Sequence, residues 1–80
     1  MILSAQLSLY PLGETTLSPG VAGFCGVLEN AGLSPVVGTM STVVTGDSDI
    51  VFPALQTAFE RAATAGHVVL IATISNACSV

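Results

Sequence analysis

Positive charge is almost absent from this chain. Of its 80 residues, Arg61 alone is basic, against five carboxylates: Glu14, Glu29, Asp47, Asp49 and Glu60. Nucleic-acid binding needs several cations to neutralise phosphates, so that class is excluded. Charge of either sign is scarce, at 8% of residues, while 51% are hydrophobic; an ordinary domain carries roughly 25% charged residues. So little charge cannot cover a monomer's surface, and self-association would hide the excess apolar area. The net charge of −4 mildly favours a cationic small molecule.

Other absences narrow the field further. Two cysteines, Cys25 and Cys78, are too few for a disulfide scaffold and lack metal-ligand spacing. A cytoplasmic setting and no metal are therefore expected. No apolar run approaches the roughly 20 residues of a membrane span, so no membrane partner is expected. The opening MILSAQLSLYPL lacks a basic segment, and Gln6 and Ser8 interrupt it, so it reads as a first strand rather than a signal peptide. His67 has no second histidine to complete a metal site, and no Ser-His-Asp arrangement is legible. A structural His67 is the simpler account. With no nucleophile, base and orienting group to assemble, the chain is not expected to be an enzyme, and no cofactor is implied. Gly20, Gly23 and Gly26 have the wrong spacing for a dinucleotide fingerprint; subunit packing is their simpler explanation. Repeats, linkers and low-complexity segments are also missing. Residues 1–80 read as one small domain, able to bury roughly 60–65% of its unfolded surface.

What is present alternates between strand and helix patterns. Ile2–Leu9 places Leu3, Ala5, Leu7 and Leu9 on one side and Ser4, Gln6 and Ser8 on the other, the period of a half-buried strand. Ser18-Pro19 is a helix start, with Ser18 as N-cap. Val21, Phe24, Cys25 and Leu28 follow at helical spacing, and Gly32 supplies the stop. Ser34–Gly38 and Met40–Thr45 predict a hairpin whose first strand Pro35 confines to a sheet edge. Gly46–Asp49 predicts a turn, with a second helix beginning near Ile50. That helix carries Val51, Leu55, Ala58, Phe59 and Ala62 on one face and is closed by Gly66. Val68–Ser75 is the last strand, apolar enough to predict a central place. The order β-α-β-β-α-β predicts an α+β, ferredoxin-like sandwich: a four-stranded antiparallel sheet in order 4-1-3-2 with two helices on one face.

Hydroxyls recur in the strand-like runs LSLYP, MSTVVTGDSDIVF and HVVLIATIS. On a buried face each hydroxyl must find a partner, so the pattern suggests pairing within the sheet or a polar ligand. Tyr10 could stack on a flat ring or simply seal the sheet end. Ser41 and Thr42 point to opposite faces, so one pocket takes at most one of them. Ordinary strand propensity explains Thr42, whereas Ser41 needs more explanation. Thr73 and Ser75 share a face. Asp47 and Asp49 suit N-capping better than a ligand role.

In register across three strands, these segments resemble the YkoF-type family that binds thiamine or its hydroxymethylpyrimidine (HMP) moiety. The matching residues are Ser8-Leu9-Tyr10-Pro11; Met40–Val43 leading to Gly46, Asp49 and Val51-Phe52; and His67, Thr73, Ser75 and Cys78. Some relatives carry two tandem repeats; this chain has one. The resemblance implies a non-enzymatic thiamine- or HMP-binding protein serving vitamin B1 salvage or transport. Its ligand would be held by hydroxyls and an aromatic wall drawn from Ser8, Tyr10, Ser41, Thr42, Thr73 and Ser75. Two copies would replace the tandem halves, in a homodimer or homotetramer. The alternative is an oligomeric regulatory or assembly module that binds another metabolite or a protein.

Overall fold

The computed structural model describes residues 1–12, 18–38, 41–64 and 66–77. The elements run β1 (Ile2–Pro11), α1 (Ser18–Asn30), β2 (Val36–Val37), β3 (Thr42–Asp47), α2 (Ser48–Ala63) and β4 (Val68–Ser75). They form one antiparallel sheet in the order β2-β3-β1-β4, which is 4-1-3-2 read from the other edge. This is the ferredoxin-like sandwich. Leu3, Ala5 and Leu7 of β1 are buried against Leu28 of α1 and Val51 and Ala58 of α2. The alternating serines and glutamine of β1 therefore face away from the helices, as its period of two requires.

Helix α1 buries Phe24, Cys25, Val27 and Leu28. It ends at Gly32, whose φ of 90° is open to glycine at little steric cost. The Leu33 N–H donates to the Leu28 carbonyl at 3.1 Å and the Gly32 N–H to that of Glu29 at 3.0 Å, the paired bonds of a Schellman stop. Cys25 is buried, so a thiol reagent should label it only after denaturation; rapid labelling of the native protein would show that α1 opens. Cys78, expected to be the accessible thiol, lies outside the described residues.

Three sequence expectations change. The turn expected at Gly46–Asp49 is strand up to Asp47, and α2 starts at Ser48 rather than near Ile50. Gly46 serves close packing instead of a turn: a Cβ there would sit 2.8 Å from Leu33 Cδ2 and 3.4 Å from Val51 Cγ2. Asp47 is the cap, its Oδ1 accepting from the Asp49 N–H at 3.0 Å. That hydrogen bond, and then the Met1 ammonium 3.5 Å away, hold the Asp47 carboxyl below its ordinary pKa. Pro53 consequently lies inside the helix, on its exposed side. Second, the buried face of α2 is Val51, Ala54, Leu55 and Ala58, and Phe59 is left largely outside it.

Third, β4 lies at the edge that the order 4-1-3-2 gives it, not in the central place its apolar content suggested. Among the described residues it pairs with β1 alone, and from Ile71 to Ser75 every residue is exposed. The helices cover β1 and β3, and of β4 only Leu70 packs against their core. Its apolar composition has no explanation within one copy of the chain. The other edge, β2, is two residues long and follows Pro35, as expected of a protected edge. Among the described residues no helix is long and apolar enough to cross a membrane.

Candidate functional site

The sheet face opposite the helices is open, and cross-strand register orders its side chains into rows. Thr45, Ser4 and Ser75 form one row; Val43, Gln6 and Thr73 the next; Ser8 and Ile71 the third; Tyr10 and Val69 the last. Val36 extends the second row onto β2. Neighbouring strands lie about 4.8 Å apart and successive rows about 7 Å apart. The face is therefore a polar strip along β1, with apolar side chains at its margins. Tyr10 and Ile71 expose 48% and 55% of their surface. Among the described residues of this face Asp47, at a corner beside Met1, is the one charged side chain. A solvent-facing sheet normally carries more charge than this.

Hydrogen bonds hold much of the strip in place. The Ser4 and Thr45 hydroxyls are 2.9 Å apart, and Gln6 Nε2 donates to Ser41 Oγ at 3.2 Å. Ser41 precedes β3 and faces the open side, whereas Thr42 turns under the helices and is buried. The two do point to opposite faces. Thr42 is thereby separated from the other five residues named from the sequence. Ser75 is separated in a different way. It lies opposite Ser4, six residues along β1 from Tyr10, which places it about 20 Å from that ring. Its Oγ also accepts from the Ala77 N–H at 3.0 Å. One small ring cannot meet both Tyr10 and Ser75.

The residues the fold brings together are Gln6, Ser8, Ser41 and Thr73, with Gln6 opposite Thr73 and bonded to Ser41, and Tyr10 at the end of the strip one row beyond Ser8. Gln6 was not among the residues singled out in the sequence. Its signal was there: the alternation of β1 puts it on one face with Ser4 and Ser8. An amide flanked by hydroxyls can both donate and accept, which suits a flat heterocycle with ring nitrogens and an amino group. The exposed Tyr10, next along β1 on this face after Ser8, offers a stacking surface at the end of the strip. His67 lies exposed before β4, at the Tyr10 end of the sheet, where its carbonyl accepts from the Leu12 N–H at 2.9 Å.

Comparison with known proteins gives the lineage. No curated protein matches the sequence. Hypothetical protein MJ1052 of Methanocaldococcus jannascii is 26% identical, with a TM-score of 0.86 over 94% of this chain and 79% of its own. Protein SP2199 of Streptococcus pneumoniae is 23% identical, with a TM-score of 0.85 over 94% and 86% of the two chains. A Thermotoga maritima protein, TM0486, described as a candidate thiamine biosynthesis/salvage protein, is 14% identical with a TM-score of 0.82 over 94% and 83%. The last two likenesses establish shared fold alone. The sequence itself matches the YKOF-related family over residues 2–80, and the chain belongs to that family.

Proposed function

We propose that this protein is a non-enzymatic, cytoplasmic binding protein for thiamine or its HMP moiety, acting in salvage or transport. Membership of the YKOF-related family and the thiamine role ascribed to the Thermotoga maritima protein support the reading. The observation that carries it is the uncharged strip of Gln6, Ser8, Ser41 and Thr73 ending at Tyr10. The pyrimidine lies on this strip, its amino group donating to a hydroxyl or amide oxygen and a ring nitrogen accepting from the Thr73 or Ser41 hydroxyl. Tyr10 and Ile71 form the apolar wall. An open sheet face is shallow compared with ordinary ligand sites. A second copy laid over the face closes it, which also accounts for the missing surface charge.

Calorimetry tests this directly. Thiamine or HMP should bind saturably, and Tyr10→Ala and Thr73→Ala should each weaken binding while leaving the fold intact. A hydrogen bond to a neutral group contributes about 0.5–1.5 kcal/mol and a stacking ring somewhat more, so each change should lower affinity roughly three- to thirtyfold. Ser75→Ala, at the far end of the strip, and Gln56→Ala, on α2, should do little. Failure of both ligands to bind at millimolar concentration removes the thiamine reading. Loss of affinity from Ser75 rather than Tyr10 moves the site to the Ser4–Thr45 row.

A second reading, an assembly module, draws on one observation: the bare, uncharged β4 edge offers backbone groups to another strand. It predicts a protein partner instead of a metabolite, and the same titrations discriminate between them.

A further inference from the structure

On the far side of the molecule, a groove of about 410 Å³ runs between α2 and the end of α1. Val27 and Ala54, both buried, form its floor, and Ala31 and Pro53 flank them. Asp49 and Arg61 mark its two ends, twelve residues apart on α2 and so about 18 Å along the axis. Arg61 is the chain's single cation. Its guanidinium makes no hydrogen bond or ion pair among the described residues. The adjacent Glu60 is engaged elsewhere, accepting from Gln56 Nε2 at 3.4 Å. At the other end, Pro53 has no N–H, so the Asp49 carbonyl lacks the usual helical donor one turn on.

We propose that this groove is a second ligand site, for a small organic monocarboxylate whose carboxylate is held by Arg61 and whose apolar body lies over Val27, Ala31, Pro53 and Ala54. An arginine fork matches a carboxylate in two parallel hydrogen bonds. A single positive charge in a chain of net charge −4 suits a monoanion better than a phosphate dianion, whose second charge has no cation to meet. A hydroxyl or ammonium at the ligand's far end would find Asp49. The site lies on the helix layer and does not depend on what the sheet face binds.

The test is an amide NMR titration of the full chain with hexanoate, 1-hexanol and inorganic phosphate. Hexanoate should shift amides of residues 27–31 and 49–61 saturably, with a dissociation constant in the millimolar range. Hexanol should bind at least about fivefold more weakly, and phosphate should not saturate, because one exposed charge-assisted pair supplies the difference. Arg61→Gln should lower hexanoate affinity about five- to tenfold and leave hexanol unchanged. Arg61 is exposed, and an unaltered thermal midpoint would confirm that the variant folds. Hexanoate and hexanol binding equally, shifts confined to the sheet face, phosphate binding more tightly than hexanoate, or an unaffected Arg61→Gln variant would each overturn the proposal.

Discussion

Leu28→Ala should destabilise the protein by about 3–5 kcal/mol, one of the largest effects expected of any single change. Leu28 has no exposed surface and stands where α1 meets the sheet. Truncating a buried leucine loses its transfer free energy and leaves a cavity that its neighbours fill incompletely. A domain of this size has roughly 4–12 kcal/mol of total stability, so the loss is about a quarter of it or more. With a urea m-value of about 1.5 kcal/mol/M, the unfolding midpoint should fall by about 2–3 M. Val37→Ala, exposed on the edge strand β2, should stay within about 0.5 kcal/mol and serves as the control. A fall of less than about 1 kcal/mol for Leu28→Ala would mean that α1 is not seated on the sheet as described.

The core was legible in the sequence because periodicity encodes burial. Leu3, Ala5 and Leu7 followed from a period of two, and Phe24, Cys25 and Leu28 from a period near four. Gly32 was readable as a helix stop because few other residues take that φ. Gly46 was misread for a related reason. A glycine is permissive in turns and equally useful where a side chain would collide, and sequence does not say which of these holds. Here Leu33 and Val51, one distant in sequence and one near, occupy the space. The strand order 4-1-3-2 put β4 at an edge, as found; its apolar content misled because such content usually reports burial within the chain, whereas at this edge it reports surface that the chain alone leaves open. For the site, face assignments carried over well, separating Thr42 from Ser41 and grouping Thr73 with Ser75. Distances along the strands did not, since nothing in one strand's sequence fixes where another lies beside it. Only the register of β4 on β1 places Ser75 far from Tyr10 and Thr73 beside Gln6.

That uncovered surface leads to the second large effect: Val43→Glu should convert a self-associated protein into a monomer. Val43 lies on the open face, paired with Gln6 of β1 and Val36 of β2, well inside the sheet and two strands from the β4 edge. If two copies meet face to face about a two-fold axis, each new carboxylate enters an interface with no basic side chain, because Arg61 is on α2 and the Met1 ammonium already faces Asp47. A charge buried without a partner, close to its own symmetry image, costs several kcal/mol. The dissociation constant should therefore rise about a hundredfold or more, equivalent to about 2.7 kcal/mol. Because Val43 is already 38% exposed, the fold itself should survive. Light scattering on a sizing column should give at least a dimer for the natural chain at micromolar concentration and a mass near 8.0 kDa for the variant. A natural chain that is monomeric would end the self-association reading, and with it the lid proposed for the ligand. If instead Val43→Glu stays associated and Ile74→Glu, on the helix-side face of β4, dissociates, the copies join along that edge, and the polar strip stays open to a ligand or a different partner.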